Sequence, residues 1–242
     1  MLGYILQIDP NSSAGSTLVH SRVLASTVTL LVKSAQDYLT VNEIYNWEIY
    51  KPTHPLKSKI KVALDLGANI GLASVYFDAA LDLTTIISVE PLESVQSNLK
   101  VNLASIKAKL NIIESCIVPD EFSFNKCMMD TSKGSRYASI STSVPSHLGE
   151  EVKAVNCSNF IEKIKAIAPE PDIIKIDIEG FGCIVARQLL SKLQKSPLNV
   201  FIEEDEAQLV DLDFFMNSKE YLVAFRMEGF RTYELKGKSI ED

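Results

Sequence analysis

From Lys59 onward, short apolar runs alternate with longer stretches of helical periodicity. Runs at 60–66, 85–89, 110–117, 172–178 and 199–203, rich in apolar residues, and the aromatic and β-branched run at 230–235 predict strands. Between them, apolar positions recur at helical spacing near 72–81, 92–104, 158–167 and 183–195. Strands alternating with helices form βαβ units, whose right-handed crossovers build a mostly parallel, twisted sheet with helices on both faces. The expected class is α/β and Rossmann-like.

Three regions depart from this rhythm. Residues 1–58 mix short strand-like runs with polar breaks and end in Lys51-Pro52-Thr53-His54-Pro55, a natural junction. They are expected to form a small extension packed on the core 59–242, serving as a cap, a substrate element or an oligomer element. Residues 119–150 lack long apolar periodicity and include the Ser-rich KGSRYASISTSVPSHLGE, which reads as an inserted loop or hairpin. Near the C-terminus, Tyr221, Leu222 and Phe225 fit one helical face within 218–228, with Gly229 as a C-cap. A helix is expected there, and the end at Asp242 leaves little room for a last antiparallel strand.

Composition narrows the function class. The 242 residues carry a formal charge of −7, so the chain is a poor general binder of phosphate backbone, which lowers the expectation of a nucleic-acid partner. The most apolar N-terminal stretch, VLASTVTLLV at 23–32, is too short to span a bilayer, which takes about 20 residues. It also lacks the basic leader of a signal peptide, so it reads as a strand and the protein as cytoplasmic. Cys116, Cys127, Cys157 and Cys183 are widely spaced with no C-x-x-C; they are expected to be reduced, partly buried thiols, and no metal site is expected.

The chemistry gathers at the predicted strand tips, where open parallel sheets hold their ligands. IKVALDLGANIG at 60–71 runs from an apolar strand through Asp65 into a Gly-x-x-x-Gly turn ahead of a helix. Gly67 and Gly71 would let backbone approach a ligand, and N–H groups at the next helix start would face it. Ala68 and Asn69 stand where a dinucleotide fingerprint needs glycine, so a pyrophosphate is not the expected guest. The next strand ends in Glu90-Pro91, an acid placed to accept hydrogen bonds from both ribose hydroxyls of a nucleoside cofactor. Lys175, Asp177 and Glu179 alternate with Ile174, Ile176 and Ile178, which puts three charges on one strand face or at its mouth. That pattern reads either as a salt-bridged patch or as a site.

DLGANIG at 65–71, SVEP at 88–91 followed by Leu99-x-x-Asn102, and IIKIDIEG at 173–180 together resemble the FkbM family of S-adenosylmethionine-dependent methyltransferases. The resemblance spans about residues 60–235, and VNEIYNWEIY at 41–50 is weakly similar to the region before the first family motif. It implies a class I methyltransferase fold and methyl transfer, most often to an oxygen of a small molecule or sugar. It also implies that Asp65, Gly67, Ala68, Asn69 and Gly71 form the methionine-side loop. Glu90 would hold the ribose, and Ser115 and Cys116 would lie near the adenine.

Three positions depart from the family pattern. Glu179-Gly180-Phe181-Gly182 replaces Glu-Gly-x-Glu, Cys157-Ser158-Asn159 replaces a Leu-Asp pair, and Glu203-Glu204-Asp205 stands where Glu is often followed by His. Ser158 or Asn159 is still expected to cap its helix. A hydroxyl acceptor needs a base; the candidates are Asp177 and Glu179, with Glu203 in reserve and Lys175 keeping the carboxylates ionised. Asp177 serves equally well as a partner for the cofactor's ammonium. Of the histidines, only His147 could reach the cleft, if the insertion folds over it; a surface position in its polar loop is the expected one. Two further readings remain: a methyltransferase acting on RNA or protein, and a non-catalytic member of the same fold.

Overall fold

The computed structural model describes residues 6–8, 16–20, 27–51, 60–133, 138–141, 147–195, 197–204, 223–227 and 231–234. An antiparallel meander of β1 (Leu6–Ile8), β2 (Ser16–His20) and β3 (Thr27–Leu31) opens the chain. Helix α1 (Ala35–Val41) follows, started by a capping box in which Ser34 and Asp37 satisfy each other's backbone donors. It runs directly into a π-helical turn, Asn42–Asn46.

The central layer then assembles from β4 (Val62–Leu66), α2 (Leu72–Ala80), β5 (Thr85–Val89), α3 (Glu93–Leu103) and β6 (Lys109–Ile113). A second sheet is made by β7 (Cys116–Val118), β8 (Lys126–Asp130), β9 (Ser139–Ser141) and β10 (Gly149–Asn156), in the order β7-β10-β8-β9. The chain returns to the central layer through α4 (Cys157–Lys165), β11 (Ile173–Ile176), α5 (Gly182–Lys192), β12 (Asn199–Glu204), β13 (Val223–Met227) and β14 (Arg231–Glu234).

The central sheet has the order β14-β13-β12-β11-β4-β5-β6, parallel throughout except for the antiparallel pair β13–β14. From β4 the chain moves outward through β5 to β6, then returns to β11 on β4's other side. The strand order therefore reverses between β4 and β11, where a crevice opens at the carboxyl ends. This is the Rossmann-like α/β fold that the strand–helix alternation implies, of the class I kind that the family resemblance implies.

Alternation along each strand sorts the core into two layers. Ala63, Ile86, Ile173 and Phe201 face α2, α3 and the N-terminal helical segment. Leu64, Leu66, Ile87, Val89, Ile174, Ile176 and Val200 face α4 and α5. Each of the larger of these side chains, fully buried, is worth about 1.5–3 kcal/mol. The exposed pair Lys100–Glu114 is worth at most about 1 kcal/mol, so apolar burial carries the fold. Asn102, almost fully buried on α3, joins the first layer to the N-terminal meander. Its Oδ1 accepts the Leu31 N–H at 2.6 Å, while its Nδ2 donates to the carbonyls of Ile70 at 2.7 Å and Leu31 at 3.3 Å.

Several expectations are corrected here. The apolar run 110–117 is two strands: β6 leaves the central sheet at Ile113, and β7 pairs in parallel with β10. The strand expected at 172–178 ends at Ile176. The helix expected at 218–228 is strand β13 where the structure describes it; Val223–Phe225 pair with Val200–Ile202 and satisfy the edge of β12. The last antiparallel strand, for which little room was expected, is β14. The Gly229 cap lies outside the described residues. Helix α4 is capped by Asn156, whose side chain accepts the Asn159 N–H, while Ser158 donates its hydroxyl to Asp120.

Candidate active site

A cavity opens at the carboxyl ends of β4, β5 and β11. Its floor is the loop after β4, in which Gly67, Asn69 and Gly71 have φ of 74°, 48° and 84°. The loop spends its donors internally. The N–H groups of Gly67 and Ala68 donate to Val89 O at 3.0 and 2.9 Å, and that of Gly71 donates to Ala68 O at 2.7 Å. The Asn69 N–H donates to Glu90 Oε2 at 2.8 Å. A phosphate-binding loop leaves such groups pointing at its ligand, so this loop is no pyrophosphate cradle. The glycines also serve the protein's own packing. A Cβ on Gly67 would sit 1.8 Å from the Asp177 carbonyl oxygen, and one on Gly71 would sit 2.8 Å from a Leu103 methyl.

Register places Asp65 beside Ser88 on one flank and Lys175 on the other. Asp65 is fully buried. It accepts the Ser74 hydroxyl at 2.6 Å and pairs with Lys175 Nζ at 3.1 Å. Ser74 and Ser88 hydroxyls meet at 2.8 Å. Lys175, 3% exposed, also donates to Gly67 O at 2.7 Å and pairs with Asp177 Oδ2 at 3.3 Å. A buried ammonium costs several kcal/mol unless compensated; two carboxylates and a carbonyl compensate this one. Asp65 thus reaches the site through Lys175, whereas Lys175, Asp177 and Glu179 line the cavity directly.

On the β5 side, both oxygens of Glu90 accept backbone N–H groups, from Asn69 and from Leu92 at 2.9 Å. Burial nonetheless pushes its carboxyl up to about 7, against those hydrogen bonds. The folded protein therefore holds a proton that the unfolded chain, with an ordinary value of 4.5, releases earlier. Stability from this group is fully present below pH 4.5 and is lost as pH rises through about 7. The amount is on the order of 3 kcal/mol.

The remaining walls come from three places. Ser115, Cys116 and Ile117 follow β6, Met129 and Ile140 come from β8 and β9, and Thr40, Glu43 and Tyr50 come from the N-terminal helical segment. Gly67, Ala68, Asn69, Glu90, Ser115, Cys116 and Asp177 are thus brought together around one cavity, while Asp65 and Gly71 stand behind it. Glu203 lies in β12 in register with Arg226, and its side chain is outside the described residues. His147 is exposed in the turn before β10 and is not among the residues lining the cavity.

All four cysteines are free, although Cys116 and Cys127 bring their sulfurs to 3.2 Å. That contact, with burial, raises the Cys116 thiol, and it lowers Cys127. Among the described residues no group of three or more His, Cys, Asp or Glu is arranged to hold a metal ion.

Sequence reasoning missed Ser74, Glu43 and Tyr50. The Tyr50 hydroxyl stands 3.4 Å from Asp177 Oδ2, and its ring lies 5.7 Å from Lys175 Nζ. Ser74 carried a readable signal, a serine two residues into a helix on the face turned toward the sheet. Tyr50 closes the stretch 41–50 that weakly resembles the family, but nothing there points to a partner 127 positions away.

The sequence matches the model of the methyltransferase FkbM domain over residues 65–223, well over half of the chain. No curated protein matches it. A SAM-dependent methyltransferase from Agrobacterium tumefaciens shares 12% identity, over 71% of this chain and 45% of that one, with a TM-score of 0.28. This chain spans less than half of that protein, and so loose a superposition adds nothing to what the strand order shows. The matched region begins at Asp65 and takes in the Gly67 loop, Glu90 and the tip of β11, which together line or support the cavity. The chain belongs to the FkbM family of methyltransferases, and its cofactor is S-adenosylmethionine.

Proposed function

We propose that the chain is an O-methyltransferase acting on a hydroxyl of a small molecule or sugar. The observation that carries this reading is Asp177, a carboxylate at the tip of β11 that lines the cavity beside the Gly67 loop. The residues around the cavity suit the cofactor. Glu90 offers a carboxylate to ribose hydroxyls. Asn69 has a buried side-chain oxygen without a hydrogen-bond partner. The loop Gly67–Asn69 suits the methionine side, with Ser115 and Cys116 beside the base. S-adenosylmethionine, when bound, supplies the methyl group on a positively charged sulfur, a leaving group that needs no help.

What remains for the chain is to align the acceptor and to take one proton. Asp177 is the base. Lys175 and Tyr50 both engage its Oδ2, which leaves Oδ1 for the acceptor hydroxyl. Lys175 pairs with the carboxylate at 3.3 Å, and Glu179 is the alternative base on the same rim, with Glu203 in reserve. Asp177→Asn is expected to lose 100-fold or more in turnover while keeping its affinity for S-adenosylhomocysteine. The assay pairs calorimetry with transfer of labelled methyl groups to small-molecule, glycan, protein and RNA fractions. Labelling confined to protein or RNA would overturn the acceptor class. Gly182, standing where the family has a second acid, favours one alternative, a non-catalytic binder; cofactor binding without turnover on every fraction would establish it.

Glu90 gives this reading a pH signature. Ribose hydroxyls donate to the ionised carboxylate, so S-adenosylhomocysteine affinity should fall as pH drops through about 7, by up to tenfold per unit. Binding at pH 6 should release a proton, detectable as a buffer-dependent heat. An affinity flat from pH 8 to 6 would remove Glu90 from the ribose. Among the described residues no helix is long and apolar enough to cross a membrane. The four free thiols favour a reducing compartment, and cytoplasmic residence is our reading.

A further inference from the structure

The N-terminal helical segment lies outside the family match at 65–223, yet it reaches the reacting end of the cavity through one side chain. We propose that Tyr50 is a positioning residue for Asp177, holding one carboxylate oxygen so that the other meets the acceptor. The proposal rests on the reading of Asp177 as the base.

Local structure shows how Tyr50 is delivered. The π-helical turn ends with the Trp47 N–H donating to Asn42 O at 2.9 Å, and Glu48 then takes a left-handed φ of 52°. That conformation is strained for a non-glycine residue, and it reverses the chain so that Tyr50 enters the interior, 5% exposed. Its ring packs edge-on against Phe201 of β12 at 5.6 Å and tilted against Phe77 of α2 at 6.2 Å. Two rigid layers therefore fix the ring, and with it the hydroxyl.

That hydroxyl is more than core filling. Burying an unbonded hydroxyl is unfavourable, and a phenylalanine would pack the same two rings without that cost. Here the hydroxyl points at Asp177, 3.4 Å from Oδ2, a long bond of the kind that tightens when a site fills. Asp177 needs such a restraint. It stands one residue past the end of β11, with its N–H bound to Leu66 O at 3.1 Å and its side chain 31% exposed. Lys175 and Tyr50 approach the same oxygen from two elements, at 3.3 and 3.4 Å. One contact leaves the carboxylate free to swing; two stop it. The ring face of Tyr50 toward Lys175, 5.7 Å away, steadies the ammonium as well.

The test is Tyr50→Phe in the full chain, which keeps the ring packing and removes only the hydroxyl. Affinity for S-adenosylhomocysteine and the melting temperature should stay within error of the parent. Turnover on the accepting fraction should fall about tenfold, with the acceptor KM changed less than twofold. A proton NMR experiment reads the contact without turnover. The parent should show a slowly exchanging phenolic proton that is absent in Tyr50→Phe and exchanges rapidly with water in Asp177→Ala. A phenolic proton indifferent to Asp177→Ala would overturn the proposal, as would a Tyr50→Phe variant with parental turnover. Failure of the parent to bind S-adenosylhomocysteine would instead strike the reading of the cofactor site, so the two failures are distinct.

Discussion

Gly67→Ala should abolish cofactor binding and lower the melting temperature by about 6–12 °C, the equivalent of about 3 kcal/mol in a chain of this size. Two effects add. The residue holds φ at 74°, where a Cβ costs about 1–2 kcal/mol. The new Cβ would also stand 1.8 Å from the Asp177 carbonyl oxygen and 2.9 Å from its carbon. Those are backbone atoms at the tip of β11, so no rotamer change relieves the overlap. The loop must lift off β11, breaking the Lys175 bond to Gly67 O and the Gly67 and Ala68 bonds to Val89 O. Gly180→Ala separates the two effects. Gly180 has the same kind of backbone, φ 85°, but a Cβ there meets nothing within 4 Å. It should cost about 1 kcal/mol, the strain alone, and leave binding intact. Equal losses in the two variants, measured by thermal melts and by S-adenosylhomocysteine titration, would show that strain rather than collision makes Gly67 necessary.

Lys175→Met is the second large effect, with an expected loss of about 3–5 kcal/mol. Methionine fills the volume, but it leaves Asp65 fully buried with only the Ser74 hydroxyl on its other oxygen. It also frees Asp177 on one side and removes the donor that pins Gly67 O. Most of the cost is the stranded charge rather than the lost attraction, since a well-packed neutral pair can be as stable as a buried ion pair. The double variant Asp65→Asn with Lys175→Met should therefore be more stable than Lys175→Met alone, a coupling that chemical denaturation of the four proteins measures. Strict additivity would mean that Asp65 and Lys175 act independently despite their 3.1 Å contact.

The parts of the fold that were legible share one physical property. β4, β5 and β11 are buried on both faces, so each appears as an apolar run ending abruptly in a charged tip. The site could be located for the same reason, because Asp65, Glu90 and Lys175 interrupt hydrophobic stretches that tolerate no idle charge. The run at 110–117 misled because hydropathy reports burial and not partnership. Ile113 and Cys116 are both buried, but under different sheets. Residues 223–227 misled because Tyr221, Leu222 and Phe225 satisfy a helical stripe, while the open edge of β12 demanded a strand. Tyr50 was hidden by kind. Its importance lies in one hydroxyl, aimed at an acid that only the fold brings near.

Asn102 bears on what counts as a unit in this protein. The family domain begins at residue 65, but the Asn102 amide is divided between the Ile70 carbonyl inside that domain and the Leu31 backbone outside it. Unfolding β3 would strand the Oδ1 of a buried side chain and leave its Nδ2 bound to the Ile70 carbonyl alone. The inherited module and the cooperative folding unit therefore have different borders. Homology finds the first; the second starts at least as early as Leu31.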